Sequence, residues 1–341
     1  MSALGTPVPG PGGGSRALAA SRRGRRWERW RRRNLTFDRV SFFVVFLVLP
    51  VAAYLALVVS PFVQAVYFSL TNWSGFTPDM QFIGLSNYSK LFSDATFLTA
   101  LRNSVELAVV LPIVTLVIAL FFASLVTVGG SSHGNVRGLR NSSVYRVISF
   151  FPYVVPAIVI GLLWSQIYDP NSGLLNGVLT HIGLSQFKSF AWLGAVRTAK
   201  LAVMFVIVWG LVGFYMVLFI AAIKGVPAEI FEAARVDGAG RFRTAVSITI
   251  PMIRANVQTA FIYMGILSLD AFVYMAALEP GGGPQNSTLV MTQQLFTTAF
   301  TKGQFGYACA MGVVLAAITL VYAGLVFAVN RLTGGTNEVG E

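Results

Sequence analysis

Cysteine and histidine are nearly absent from this 341-residue chain, and acidic residues are few. A single cysteine, Cys309, excludes an internal disulfide and a cysteine-based zinc cluster. The two histidines, His133 and His181, sit in separate polar connecting segments with no Asp, Glu or Cys at ligand spacing, so no metal site is expected. The 13 Asp and Glu residues are scattered, whereas a membrane-embedded transferase would gather carboxylates or histidines at one membrane face. No GxxxxGK[ST] run occurs, so the chain has no phosphate-cradling loop of its own, and the GAG at 238–240 is too short for a dinucleotide fingerprint. These absences argue against an enzyme and against a cofactor bound by this chain.

Apolar sequence is what the chain has in excess. It is 55% hydrophobic and 11% charged, with mean hydropathy +0.69, against roughly a quarter charged residues in soluble domains. Six apolar runs approach the length of a bilayer crossing, at about 41–69, 105–128, 144–168, 199–222, 257–278 and 306–330. Prolines within them (Pro50, Pro61, Pro112, Pro152, Pro156) are tolerable where neighbouring helices satisfy the freed carbonyls. The expected fold is all-α and integral to the membrane, with six transmembrane helices. With both termini placed in the cytoplasm, only six of the 25 basic residues (Lys90, Arg102, Lys188, Arg197, Lys200, Lys302) fall outside, as the positive-inside rule requires. The net charge of +12 thus follows membrane sidedness, and no nucleic-acid partner is implied.

Three regions are expected: a basic, partly disordered cytoplasmic tail over 1–40, a six-helix transmembrane domain over 41–335, and a short cytoplasmic tail over 336–341. Residues 1–20 are rich in Gly, Pro and Ala, while 21–39 place arginines beside Trp27 and Trp30, a composition suited to anionic headgroups and the interface. Nothing like a cleavage site follows the first run, so the tail reads as an uncleaved anchor.

Between the fourth and fifth runs, the cytoplasmic loop 223–256 carries EIFEAARVDGAGRFRTAVSITIP at 229–251. Pro227 suits a first helical turn, Glu229 and Glu232 suit the positive end of the helix dipole, and Gly238 can take the left-handed conformation that ends a helix. Ile230, Phe231, Ala234 and Val236 give an apolar side, and a second helical segment runs from Arg241 to Pro251. This predicts a helix–turn–helix at the inner face of the membrane. It serves equally as an interfacial loop packed on its own protein or as a docking element for a cytoplasmic partner.

Glu232-Ala233-Ala234, then Gly238 after three residues, then Ile248-Thr249-Ile250-Pro251 after nine more, resembles the EAA…G…I-x-L-P signature of importer permeases of the ATP-binding-cassette class, with Ile250 for the usual Leu. Asp237-Gly238-Ala239 matches the extended form of that motif. FIGLSNYSKLF with FLTALRNS, YRVISFFPYVVPAIVIGLLWSQIYDPNSGLLN, and GGGPQNSTLVMTQQLFTTAFTKGQFGYACAMGVVL resemble the sugar-permease branch, which includes maltose and glycerol-phosphate permeases; the likeness covers about 40–330.

The resemblance implies a type I importer fold and a permease subunit moving a sugar or oligosaccharide inward. It implies a second homologous permease, two cytoplasmic ATPases that carry the ATP and Mg, and an extracytoplasmic solute-binding protein, with lipid around the chain. Glu232, Ala233, Ala234, Asp237, Gly238, Ala239, Ile248 and Pro251 are then the ATPase-coupling residues. Trp209, Tyr215, Tyr263, Asp270 and Tyr274 are substrate-path candidates, since sugars are held by aromatic faces and polar groups. Asp270 stands out because a carboxylate deep in a span is costly and usually faces a polar interior. Trp164 reads as an interface-belt residue, and Thr292 and Gln293 fall in an outer loop, where a role beside the binding protein and no role at all are equally open. The alternative is a proton-coupled secondary transporter using Asp270, which predicts internal repeats and helices broken around a midplane site and leaves the 232–251 spacing unexplained.

Overall fold

The computed structural model describes residues 37–127 and 142–332; the expected tail features over 1–36 and 333–341 lie outside them. The regular structure of the described residues is helical, apart from an isolated antiparallel bridge between Thr71 and Phe82. Four helices are long and apolar enough to cross a membrane: α1 (Ser41–Phe68), α3 (Ala95–Thr127), α7 (Val196–Lys224) and α13 (Phe305–Leu332). Short α2 (Ser86–Leu91) precedes α3.

Two further apolar runs are broken rather than continuous. Residues 144–168 divide into α4 (Ser142–Val154) and α5 (Ala157–Ile167), bent by 95°. Pro156 starts the second piece in an extended conformation, with φ −54° and ψ 136°, and a residue preceding proline is pushed out of the helical region. Residues 257–278 divide into α10 (Arg254–Leu269) and α11 (Phe272–Leu278), bent by 46° with Asp270 at the break. Between these lie α6 (Leu174–His181), α8 (Ala228–Val236) and α9 (Arg241–Thr244), and α12 (Met291–Phe296) precedes α13.

Prolines explain a recurring distortion. A π turn spans Val44–Val48 ahead of Pro50, another spans Leu55–Val59 ahead of Pro61, and a third spans Ala245–Thr249 ahead of Pro251. In each case the residue before the proline donates five residues back: Leu49 to Val44, Ser60 to Leu55 and Ile250 to Ala245. Proline lacks an N–H and its ring crowds the carbonyl four residues back, so a widened turn relieves both faults while the helix continues.

The chain divides into two compact units, 1–64 and 65–341. In the first, no residue in the described part of α1 is buried. The core of the second is built on α3 and α7, which pack along one another, with α10 against α3, α4 against α7, α11 against α5 and α13 against α10. Gly213 of α7 is buried against the Ser149 carbonyl of α4, where a Cβ would collide with backbone, so these two helices meet closer than any side chain permits. At 1.5 Å per residue α7 is about 44 Å long, well beyond a bilayer core of ~30 Å, so its ends extend past the apolar layer.

A capped helix pair, a broken span and a bonded loop

Where α7 ends at Lys224, the chain turns through Gly225–Pro227 into α8. Pro227 caps this helix with an extended backbone instead of entering its first turn, and Glu229 alone is the acidic residue of that turn; Glu232 lies beyond it. Three hydrogen bonds close the C-terminus: Asp237 N–H to the Ala233 carbonyl, Gly238 N–H to Arg235 at 3.0 Å, and Ala239 N–H to Ala234 at 2.9 Å. Gly238 adopts φ +71°. The six-to-one and five-to-two bonds around a left-handed glycine satisfy carbonyls that a helix end otherwise leaves open.

The second limb runs from Arg241 through the π turn to Met252, with the Thr249 hydroxyl donating to the Thr244 carbonyl at 3.2 Å. Phe231 and Ile253 belong to the same core cluster as Phe219 and Ile223 of α7. Ala234, Thr244 and Thr249 are buried on the same side. The pair is therefore fastened to the helical core.

Its other side is open. Val236, expected on the packed face, is 88% exposed, because the helix closes beside it and turns it outward; Phe242 is 81% exposed. Glu232, Ala233, Asp237, Gly238 and Pro251 are exposed too, while Ala239 and Ile248 are half-buried and Ala234 is buried. Glu232 makes no hydrogen bond or ion pair with the described residues. The eight motif residues therefore divide into an anchoring set and a presented set.

The five path candidates do not form one site within this chain. Tyr215 and Tyr274 are buried in the core cluster, Tyr274 lying beside Gly210, whereas Tyr263, Asp270 and Trp209 are exposed. Asp270 caps α10, its N–H bonded to the Ile266 carbonyl at 3.2 Å. Trp164 packs edge-on against Trp209 at 5.4 Å and Phe205 at 5.3 Å. With Tyr168, Trp192 and Leu201 it walls a groove of about 490 Å3. The Tyr168 hydroxyl is already bonded to the Ala202 carbonyl, and the wall has little left to offer sugar hydroxyls, so the groove suits apolar groups.

Near the N-terminal end of α7 lies a polar network with no assigned role in the sequence. Lys200 pairs with Glu106 of α3 at 2.6 Å and donates to the Asn103 amide oxygen at 3.1 Å. Asn103 in turn donates to the Asn286 and Leu289 carbonyls, both at 2.9 Å, and the Ser104 hydroxyl accepts the Met291 N–H at 2.9 Å. The LRNS stretch thus ties the 286–291 segment to α3. A matching family pattern was its only signal in the sequence, because the partners lie more than 180 residues away.

Gln293 is no exposed docking residue: it is 3% exposed, and its amide donates to the Glu279 and Pro280 carbonyls. Thr292 is half-buried. Burial pushes the Glu279 carboxyl up to about 7. Nearby, Asp94 caps α3 through the N–H groups of Thr96 and Phe97 and accepts the Tyr307 hydroxyl at 3.0 Å. Desolvation works upward on Asp94, but those donors and Lys302 together leave it below the ordinary carboxylate value. Lys90 lies 4.2 Å from the centre of the Tyr307 ring.

A set of helices apolar enough to cross a membrane, with a capped helix pair fastened to their core, describes a membrane-embedded protein. Residues 126–334 match the family of binding-protein-dependent transport system inner membrane components, and the chain belongs to that family. It is 63% identical over 322 residues to the diacetylchitobiose uptake system permease protein NgcF of Streptomyces coelicolor, covering 94% of this chain and 91% of that protein. It is 38% identical over 275 residues to the probable ABC transporter permease protein YurN of Bacillus subtilis, covering 80% and 90%. Among solved structures it resembles a chain of a bacterial alginate ABC transporter in complex with a periplasmic protein bound to an alginate pentasaccharide. The TM-score is 0.74 at 19% identity, covering 90% of this chain and all of that one, a likeness of fold. The break at Asp270 is the discontinuity that a proton-coupled carrier would also show, but family membership sets that alternative aside.

Proposed function

We propose that this chain is a permease subunit of an ATP-driven ABC importer that carries a short oligosaccharide into the cytoplasm, with an N-acetylated disaccharide as the first solute to test. The carrying observation is the helix pair 228–252, whose spacing is that of the family signature and whose buried face joins the α7 core. The solute class is supported by the 63% identical relative, a diacetylchitobiose uptake permease.

In this reading the pair lies in the cytoplasm, both termini are cytoplasmic, and Glu232, Ala233, Val236 and Phe242 meet an ATPase that holds ATP and Mg. A second permease completes the path, and a binding protein delivers solute to the opposite face. ATPase closure pushes on the exposed face, and the shared core moves α7 and α10 as a body. No residue of this chain performs covalent chemistry. Trp209, Tyr263 and Asp270 are open to a partner permease and would line the path between the two subunits.

The test is copurification from membranes of the chain's own cells, followed by uptake of labelled disaccharide in reconstituted vesicles. Wild type is expected to bring down an ATPase and a second permease and to take up the disaccharide with ATP. Glu232→Ala combined with Gly238→Asp is expected to lose the ATPase while keeping the second permease. Recovery of wild type without any ATPase under gentle extraction would overturn the importer reading. An intact complex that ignores the disaccharide would overturn the solute alone.

A further inference from the structure

Buried side-chain oxygens lacking a hydrogen-bond partner are concentrated in one place. Apart from Thr115, those among the described residues lie between 279 and 298 in sequence, and they include Glu279 Oε1, Thr288 Oγ1 and Gln293 Oε1. Thr288 is 2% exposed. The Gln293 amide nitrogen is committed to the Glu279 and Pro280 carbonyls at 2.8 and 3.0 Å, which fixes the amide and leaves its oxygen as a pure acceptor.

Gly283 leaves a space between two of these groups. Gly283 has φ +69°, and a Cβ there would lie 2.5 Å from Thr288 Oγ1 and 3.4 Å from the Glu279 carboxyl carbon. Any larger residue would fill the gap that the carboxylate and the hydroxyl border. The nearby ammonium is spent elsewhere: Lys200 pairs with Glu106 and Asn103. A carboxylate oxygen shut off from solvent is costly unless paired or coordinated, and the Glu279 and Thr288 oxygens facing one gap, with no hydrogen-bond partner for either, match what a hard cation requires.

We propose that residues 279–293 fold around a hard metal cation, held by the Glu279 carboxylate with the Thr288 hydroxyl and the Gln293 amide oxygen. Oxygen-only donors select calcium or sodium over zinc or copper, which favour nitrogen and sulfur. One carboxylate among neutral oxygens gives a weak site, about 10⁻⁴ to 10⁻³ M for calcium, the range of extracellular modules. The cation would lock the loop that Asn103 and Ser104 fasten to α3. This inference stands apart from the transported solute and does not require transport to be measured.

The purified full chain, stripped with chelator at pH 8, would be titrated with calcium chloride by calorimetry and by thermal unfolding, with potassium chloride matching ionic strength. The expected result is saturable binding in the millimolar range and an unfolding midpoint that rises by several degrees. Glu279→Gln should abolish both responses. Thr288→Val should weaken binding about tenfold or more, since even supporting residues around metal ligands change affinity 10–100-fold. A wild type indifferent to calcium, magnesium and sodium would overturn the site, as would a calcium response unchanged in both Glu279→Gln and Thr288→Val. A Glu279→Gln chain equal to wild type at pH 5 and more stable at pH 8, with no cation response in either, would put a proton there instead.

Discussion

Replacing Gly238 separates backbone strain from steric clash at the helix pair. Gly238 sits at φ +71°, and a Cβ added there meets no atom within 4 Å. The cost of substitution is therefore conformational: about 1–2 kcal/mol for an L-residue in the left-handed region, greater for a β-branched one and least for Asn. Gly238→Val should cost ~2 kcal/mol, which multiplies the opened population of the helix end about thirtyfold. The bonds from Gly238 to Arg235 and from Ala239 to Ala234 would open with it. Because Phe231 and Ile253 still anchor the pair, the unfolding midpoint of the isolated chain should barely move. ATPase recovery and solute moved per ATP should fall in the order Gly, Asn, Ala, Val. A valine variant that couples as well as the asparagine variant would refute the argument, since the two differ chiefly in tolerance of that backbone region.

Gly213→Leu should prevent α7 from seating on α4, because the new side chain meets the Ser149 carbonyl; overpacking of about 1–3 kcal/mol or more would appear as loss of monodisperse protein after extraction. Asn103→Leu removes two donors to the 286–289 carbonyls and an acceptor for Lys200. It should cost about 2–3 kcal/mol and open the loop to limited proteolysis, while Glu106→Gln, losing a partly exposed pair worth up to ~1 kcal/mol, should have a smaller effect. Pro251→Ala restores the missing N–H, so the Ala245–Thr249 turn can tighten to regular helix; the chain should become slightly more stable while ATPase coupling declines, read from melting and hydrolysis together. Asp94 is held below its ordinary value, so its stabilisation is present above pH ~4, the unfolded carboxylate value, and is lost as pH falls through the lower folded pKa. Asp94→Asn should flatten the acid limb of the stability profile and leave neutral behaviour little changed.

Much of this was legible in the sequence because it is local. Apolar runs of bilayer length marked the spans, and the helix pair could be drawn from Pro227, the EAA triplet, Gly238 and Pro251, since capping and proline effects act within a few residues. The same logic misplaced Val236 and read Glu232 into the first turn, because a helix's start and the facing of its last residue depend on where the cap closes. The bends at Pro156 and Asp270 were hidden within continuous apolar composition, which records solvent preference and not direction.

The sequence by itself determined the membrane class, the positions of the apolar runs and the EAA…G…P motif, through hydropathy, charge and fixed short offsets. Tertiary structure alone decided that Tyr215 and Tyr274 are buried while Tyr263 and Asp270 are open. It also decided that Asn103 and Lys200 reach across the fold to Asn286 and Glu106, that Glu279 and Thr288 border one gap at Gly283, and that Gln293 bonds back to the Glu279 carbonyl. Which face of an apolar helix is covered, and which distant polar groups meet, depends on packing between segments far apart in the chain, and no local pattern encodes that.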